Sequence, residues 1–470
     1  MNNGLRFAPL MMSAVLAGCV NLSPDYKQAD APVPAALPVK ADQGADAVSV
    51  TGWQDLIVSP ELERVIALAL ENNRDLRVAT ARIAAARSQY GITRSARLPS
   101  VSASGSATDT GTFGDPSPAL EQSAAAQEGV SAQVGVTAFE LDFFGRVASL
   151  NEAALQNYLS TVEGERSTKI ALISSVAQAW LTLAADQELL RLAQDTIDSQ
   201  TESLKLTREM FDTGVVTEID VRRASASVET ARAQVAQYTG LVRQDLNALR
   251  YIVGTDLPDT VAGSAKLLPS PVVSRVAVGQ SSALLLNRPD VLAAERSLRA
   301  AYANIGAARA AYFPRISLTG SAGYSSTELD GLFDAGIWSV GPQISLPIFD
   351  AGNRKANLGV SKANRDLALA QYEQAIQTAF RETSDALATA QTVDERIDAL
   401  RRLVEDTSVT LNLSQERFRV GIDDYLSVLD AQRDDYSSRQ QLISAELVKA
   451  LNVVTLFQAL GGATTPPADE

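Results

Sequence analysis

The two halves of the sequence resemble each other. Three stretches of the first half return in the second half at offsets of 215, 206 and 207 residues. The third pair begins at Phe211 and Phe418, and a glycine, a valine and an alanine follow at the same spacing in both copies. Self-similarity at a fixed offset is typical of tandem structural units, so two copies of one unit are predicted.

Each copy contains a long segment with the pattern of a helix. Proline is absent from residues 119–257 and from residues 348–465. Within these segments, residues 146–213 and 352–420 carry apolar side chains at spacings of three and four, which predicts amphipathic helices. At 1.5 Å per residue, each helix would be about 100 Å long. Helices of this length are expected to pack as coiled coils.

Each long helix is predicted to end in a tight reversal. Gly214 and Gly421 follow the two helical segments, and a second helical pattern returns from each glycine to about Ile252 and Leu460. Glycine just past the end of a helix is the usual left-handed cap, because it lacks a Cβ. The unit is therefore predicted to contain a long antiparallel helix pair with its tip at the glycine.

The segments that follow Pro99 and Pro314 alternate between polar and apolar residues instead. In the second of them, Ile316, Leu318 and Tyr324 share one face of a strand, and serine and threonine residues occupy the other. Alternation over about ten residues is typical of strands in membrane barrels, with apolar side chains outward and polar ones inward. One hairpin per unit is predicted, over about 99–140 and 314–350.

Four strands cannot close a barrel, and open sheet edges in lipid leave backbone groups unsatisfied. Cyclic symmetry supplies more strands, and three copies of the chain give twelve. The predicted fold class is an α+β membrane protein, in which a homotrimer forms a 12-stranded β-barrel that continues into a long coiled-coil α-helical barrel. The alternative is a soluble β-sandwich flanked by coiled coils, which would need a hydrophobic core beneath the strands.

Composition excludes several function classes. The 470 residues include 41 basic and 55 acidic side chains, for a net charge of −14, which argues against nucleic acid as a partner. The chain has no histidine, which excludes imidazole bases, Ser-His-Asp triads and histidine-ligated metals. No phosphate loop, metal-ligand cluster or acid/base pair is found in the sequence, so no enzyme, no metal and no cofactor are expected.

The N-terminus has the pattern of an exported lipoprotein. Residues 1–18 combine an early arginine with an apolar run, as in a signal peptide, and "LAGC" resembles a bacterial lipobox that ends at Cys19, the only cysteine. A covalent lipid on Cys19 is expected, with no aspartate at the second mature position, which favours anchoring in the outer membrane. No uninterrupted apolar run of 18 residues follows, so no transmembrane helix is expected.

These patterns predict six segments along the chain. They are a signal peptide at 1–18, a lipid-anchored and equatorial segment at 19–65, the first repeat at 66–253, an equatorial linker at 254–282, the second repeat at 283–460 and a C-terminal tail at 461–470.

Several motifs, in order along the whole mature chain, resemble those of the TolC-like outer membrane factors, in the OprM-like lipoprotein branch. They include "ALENNRDLRVA", "ELDFFGR", "NRPDVLAAE", "IGAARAAYFPRISLT", "LPIFDAG" and "YLSVLDAQR". The resemblance implies the outer-membrane exit duct of a tripartite RND-type efflux pump, which passively conducts drugs or other small toxic molecules. It also implies a homotrimer in outer membrane lipid, with a periplasmic adaptor and an inner-membrane RND transporter as partners.

The resemblance also implies roles for individual residues. Leu426 and Asp430 match the rings that narrow the periplasmic aperture, and their spacing of four places both on one helix face. Asp186, Arg417 and Phe418 stand at positions of the lock that holds the aperture shut. Phe418 departs from the family, which commonly has a tyrosine there, so the lock is expected to be weaker.

The two repeated tips match the surfaces that the adaptor grips in this family. The residues expected to dock are Gly214, Val215, Gly421 and Ile422. Two other interpretations remain open from the sequence. One is the outer-membrane duct of a type I protein secretion system, and the other is a lipid-anchored coiled-coil scaffold without a pore.

Overall fold

The computed structural model describes residues 21–38, 47–119, 129–258 and 263–462. The predicted signal peptide, the lipid attachment at Cys19 and all but two residues of the predicted C-terminal tail lie outside these ranges.

Eight α-helices and four strands make up most of the described chain. In order they are α1 (Trp53–Leu56), α2 (Pro60–Asn72), α3 (Arg74–Ser95), β1 (Val101–Thr108), β2 (Gly129–Glu140), α4 (Arg146–Asp212), α5 (Glu218–Val253), a 3-10 helix (Ser282–Asn287), α6 (Pro289–Ala310), β3 (Arg315–Ser326), β4 (Gly336–Ser345), α7 (Asn353–Arg419) and α8 (Tyr425–Ala459).

The chain divides into two compact units. One unit comprises the described residues 21–30, 82–162 and 293–372, and it contains all four strands. The other comprises the described parts of 31–81, 163–292 and 373–470, and it contains both helix reversals.

In the first unit, the strands form one antiparallel sheet in the order β1-β2-β3-β4. Each repeat contributes one hairpin, and β2 pairs with β3 to join the two. The register shifts between Val136 and Phe139, where Ala138 has a φ of 51°. This bulge adds one residue to β2 and keeps its apolar side chains on one face, because Val136 lies opposite Gly320 and Phe139 lies opposite Leu318.

The register separates the sheet into one polar and one apolar face. Hydroxyl groups meet across the polar face, where Ser106 pairs with Ser131 at 2.8 Å and Ser321 pairs with Ser339 at 3.0 Å. The opposite face carries large apolar side chains, and Trp338 on it is 80% exposed. No described residue of this unit covers this face with the core that a β-sandwich would require.

In the second unit, the helices pair as predicted, with α4 returning as α5 and α7 returning as α8. Three isolated bridges tie the equatorial segments together, Ala36 to Ser281, Val48 to Val276 and Ile57 to Val272. By length and composition alone, α4 and α8 each contain a window of 18 residues that could cross a membrane. About half of each window is buried, which is equally typical of core helices in soluble proteins. The sequence criterion of an uninterrupted apolar run did not find these windows.

Candidate functional site

The candidate site is the end of the second unit where both helix pairs reverse. Gly214 and Gly421 adopt left-handed backbone conformations, with φ values of 79° and 75°. At the first reversal, Gly214 N donates to Phe211 O at 2.9 Å and Val215 N donates to Met210 O at 2.8 Å. This pair of bonds is a Schellman motif, which satisfies carbonyl groups at the end of α4.

The second reversal repeats the same motif. Gly421 N donates to Phe418 O and Ile422 N donates to Arg417 O, both at 2.9 Å. A Cβ built on either glycine would meet no atom within 4 Å. The glycines are therefore required by their φ angles and not by close approach of another backbone within the chain.

The helices that follow the two reversals are capped in different ways. In α5, the Asp220 carboxylate accepts from the backbone N–H and hydroxyl of Thr217, at 3.0 and 2.7 Å. In α8, Asp424 is the N-cap and accepts from the backbone N–H and hydroxyl of Ser427, at 3.1 and 3.0 Å. Both arrangements satisfy orphan groups in the first helical turn.

The two reversals share one hydrophobic cluster. Phe418 packs edge to face on Tyr425, with ring centroids 5.5 Å apart. Buried residues from both helix pairs complete the cluster, namely Leu204, Ala224, Val228, Val428 and Leu429. The tips are thereby held as one body within the unit.

The predicted aperture residues lie on the solvent side of α8. Leu426 and Asp430 are exposed, whereas Tyr425 before them and Val428 and Leu429 between them are buried. The Asp430 carboxylate lies 3.9 Å from the Arg433 guanidinium. This neighbour, which the sequence analysis did not consider, offsets part of the negative charge at Asp430.

The chain does not bring the three predicted lock residues together. Asp186 lies 26 residues before the end of α4, which is about 40 Å of helix. Arg417 is instead paired with Asp423 through two bonds of 2.7 and 2.8 Å, and it lowers the pKa of that carboxyl below its ordinary value. Asp186 therefore does not contact Arg417 or Phe418 within the chain, and the role of the three residues in a lock stays a prediction.

Asp186 has a different partner, Asp245 on α5. The two carboxyl groups lie close enough to affect each other's ionisation. Burial, followed by the neighbouring carboxyl group of Asp186, raises the pKa of Asp245 to about 6. Burial also raises the pKa of Asp186. Ionisation of both acids is unfavourable because the two negative charges repel each other. The helical periodicity of the sequence does not indicate this pair.

A second feature that the sequence analysis missed is the buried Arg288, inside the motif "NRPDVLAAE". Its guanidinium bonds to the carboxylates of Asp290 at 2.7 Å and Glu382 at 2.9 Å, and to Ala459 O at 2.5 Å. The residue joins the start of α6 to α7 and to the end of α8. The sequence feature that could have indicated its importance is its place in this motif.

A profile of the family described as Outer membrane efflux protein matches residues 65–255 and 281–462. The chain belongs to the outer membrane efflux protein family. It is 42% identical over 468 residues to the solvent efflux pump outer membrane protein SrpC of Pseudomonas putida, and the match covers 97% of this chain and 98% of that one.

Solved structures agree with this membership. The chain resembles a membrane protein from Pseudomonas aeruginosa with a TM-score of 0.85 at 38% identity, over 94% of this chain and 98% of that one. It resembles the open state of the MtrE outer membrane channel of Neisseria gonorrhoeae with a TM-score of 0.84 at 34% identity, over 95% and 99% of the two chains. The predicted resemblance to TolC-like outer membrane factors and the predicted fold class are thus confirmed.

Among the described ranges, no group of three or more histidine, cysteine or acidic residues could hold a metal ion. Members of the outer membrane efflux protein family are channels.

Proposed function

We propose that this chain is the outer-membrane exit duct of a tripartite RND-type efflux pump. The observation that carries the proposal is the one-sided sheet in a member of this family. Large apolar side chains on one face are exposed, and the other face is lined by hydroxyl groups. An apolar face turned to lipid and a polar face turned to water are what a membrane channel needs.

The sheet edges support assembly as a homotrimer. Within the described strands, β1 and β4 each pair with a single neighbour, so each leaves one edge open. In a bilayer, such edges must be satisfied by other strands. Three copies would pair β1 of one chain with β4 of the next and give a closed barrel of twelve strands.

The tips fit the role of an adaptor docking surface. Val215 and Ile422 follow the two glycines at equivalent positions and are 60% and 64% exposed. Because both reversals use the same Schellman motif, they present similar backbone surfaces. A trimer would offer six such tips to the hairpins of a periplasmic adaptor, which would connect the duct to the inner-membrane RND transporter.

The aperture, the anchor and the cargo complete the proposal. Leu426 and Asp430 would form the narrow rings of the periplasmic mouth, and a lipid on Cys19 would hold the chain in the outer membrane. Small toxic molecules are the proposed cargo, in keeping with a relative that is named as part of a solvent efflux pump. The duct would conduct them passively.

The test is photo-crosslinking in cells from a probe at Ile422, followed by mass spectrometry of the captured protein. Capture of an RND-type adaptor is expected, with no capture from Ile92, an equally exposed aliphatic residue on α3. Capture of a secretion-system adaptor would indicate that the duct carries protein instead of small molecules. Failure to capture any adaptor would contradict the proposed docking surface.

Two further measurements test the remaining parts. Purified protein should migrate as a heat-sensitive trimer in detergent gels, and a monomer would contradict the barrel. Metabolic labelling with palmitate should mark the wild type and not Cys19→Ser, and equal labelling of both would place the lipid elsewhere.

A further inference from the structure

The four strands contain only two charged side chains, and both lie at the same end of the sheet. They are Glu140 at the end of β2 and Arg315 at the start of β3. The register places both on the polar face, since Glu140 lies opposite Ser317 and Arg315 lies opposite Ser345. The rest of that face is serine, threonine, glutamine, glycine and one isoleucine.

Two arginines share the Glu140 carboxylate at this end of the sheet, and one of them keeps free hydrogen-bond donors. Arg146 binds both oxygens of Glu140, at 2.7 and 2.6 Å, and Glu140 is 15% exposed. Arg315 reaches the same carboxylate only through Nε, at 3.4 Å, and is 59% exposed. A guanidinium has five N–H donors, so the terminal nitrogens of Arg315 are left to bind another anion.

The neighbouring ionic groups have hydrogen-bond partners of their own. Asp142 accepts from Ala148 N at 2.7 Å. Arg354 donates through Nε to Asp350 at 2.6 Å. Asp142 also lines the cavity, but among the described residues Glu140 is the only one whose carboxylate lies within 4 Å of the Arg315 guanidinium.

A cavity of about 280 Å³ lies beside Arg315. Arg146 and Arg354 also line it, and its apolar wall includes Phe144, Phe313 and Pro314. The two phenylalanine rings are stacked, with centroids 4.7 Å apart and planes 18° from parallel. A volume near the lower end of small-molecule pockets, with an apolar wall and an exposed guanidinium, suits a compact amphipathic anion.

The site occurs once in each chain. The sequence Pro314–Arg315–Ile316 aligns with Pro99–Ser100–Val101 in the first repeat, which has serine where Arg315 stands. Strand β3 is interior to the sheet, with β2 and β4 as its neighbours, so Arg315 does not lie at an open edge. The hairpin of the first repeat therefore forms with a serine at the position of Arg315.

We infer that Arg315 and the cavity beside it bind an organic anion, a carboxylate, sulfonate or phosphate attached to an apolar body. The guanidinium would hold the anionic group, and the Phe144 and Phe313 rings would pack on the apolar part. The inference deepens the proposed function and rests on it for the source of the ligand. That source is either a molecule in transit through the duct or an anionic lipid of the membrane.

The test is isothermal titration of the full-length protein, purified in a neutral detergent, with naphthalene-2-sulfonate. We expect one site per chain, with binding weakened at least tenfold by Arg315→Ser, which installs the residue of the first repeat. Arg94→Ser removes the same charge from the last turn of α3, outside the cavity lining, and should leave affinity unchanged. Naphthalene-2-methanol, which lacks the charge, should bind at least tenfold more weakly than the sulfonate.

Equal affinity of the wild type and Arg315→Ser, or no binding of the sulfonate by the wild type, would overturn the inference. Native mass spectrometry then distinguishes the sources. A phospholipid anion that copurifies with the wild type and is lost in Arg315→Ser identifies the membrane, whereas sulfonate binding without retained lipid identifies soluble molecules.

Conductance in planar bilayers separates this inference from the proposed function. Arg315→Ser should still form open pores, so loss of anion binding alone concerns only the site. A wild-type protein that binds the sulfonate but forms no pore would contradict the duct and leave the site intact.

Discussion

Asp186 on α4 and Asp245 on α5 meet carboxyl to carboxyl within the first helix hairpin. At the same offset of 207 residues, the second hairpin has Val393 and Asn452. There the Asn452 amide donates to Ala386 O at 3.0 Å, an interaction that involves no ionisable group. The acid pair is thus specific to the first repeat, and the second hairpin has no ionisable pair at the equivalent positions.

Replacement of Asp245 by asparagine should remove this pH dependence. The folded-state pKa of Asp245 is about 6, above the ordinary value of 3.8. Its contribution to stability is therefore present below about pH 3.8 and is lost as the pH rises through 6. Because solvent screens a partly exposed carboxyl group, we expect the loss in the free energy of unfolding at pH 7.5 to be about 1 kcal/mol. Asp245→Asn should raise the Tm by about 2 °C at pH 7.5 and change it little at pH 4.

The measurement is thermal unfolding of the detergent-solubilised protein at both pH values. Asp198→Asn, which removes an exposed carboxylate on α4, serves as the control and should have no effect. A wild-type Tm that does not fall between pH 4 and pH 7.5 relative to Asp245→Asn would contradict the raised pKa of Asp245.

Phe418→Ala should loosen the tip cluster. Phe418 is 3% exposed, whereas its counterpart in the first repeat, Phe211, is 42% exposed. Truncation of a buried phenylalanine typically costs about 3–5 kcal/mol, through lost burial and the cavity that remains. Phe211→Ala is expected to cost less than about 1 kcal/mol, since much of the ring is already in water.

Hydrogen exchange of peptides spanning residues 418–429 is the measurement. Faster exchange in Phe418→Ala than in Phe211→Ala is expected. If the two variants exchange equally fast, the cluster described here does not hold the tip.

The left-handed glycine at the second reversal should not tolerate a side chain. In Gly421→Ala, the φ of 75° would be retained at a cost of about 1–2 kcal/mol, although no atom blocks the new Cβ. Gly240→Ala, within α5 and also with nothing near its Cβ, should instead stabilise by about 0.5–1 kcal/mol. Chemical denaturation of both variants gives the sign, and a stabilised Gly421→Ala would show that the Schellman cap is dispensable.

Arg288→Met should destabilise the second unit by about 1–3 kcal/mol, because the carboxylates of Asp290 and Glu382 that lose their partner are 40% and 39% exposed. The change removes the guanidinium but leaves the Glu382 carboxylate and the Ala459 carbonyl without this partner. Arg222→Ala is the matched control, because its pair with Glu218 is exposed and contributes at most about 0.5 kcal/mol. Denaturant midpoints that fall equally in the two variants would show that burial does not distinguish these ion pairs.

Asp430→Asn should lower the cation preference of the reconstituted channel, since it removes the carboxylate expected at the mouth. Arg433→Gln should have the opposite effect, because Arg433 lies 3.9 Å from that carboxylate. Reversal potentials in a salt gradient measure both. Identical reversal potentials for the wild type and both variants would remove Asp430 from the conducting path.

Much of the fold follows from periodicity and repetition in the sequence. Proline-free helical patterns predicted α4 and α7, and period-two alternation predicted β1 to β4, because each pattern reports which face of an element is buried or wet. The reversals at Gly214 and Gly421 were found because a left-handed residue is nearly always glycine. These signals are local in the chain.

What the sequence did not predict depends on contacts between distant segments. In the sequence, Asp245 is not distinguishable from other polar residues on a helix, because its neighbour Asp186 belongs to a different helix. The pairing of Arg417 with Asp423 likewise depends on the geometry of the reversal. The Arg315 site was missed for the same reason, since Glu140, Arg146 and Arg315 meet only when β2 pairs with β3. The family resemblance predicted Asp186 as a lock residue. In the structure, Asp186 lies 26 residues before the end of α4, far from Arg417.

The open edges of β1 and β4 have a consequence for biogenesis. A single chain released into the periplasm would carry two strands with unsatisfied hydrogen-bonding groups, beside an uncovered apolar face. Open edges offer pairing sites to strands of any other chain, so assembly of the barrel competes with aggregation. Survival of the newly made protein should therefore depend on escorts that shield the edges until all three partners are present.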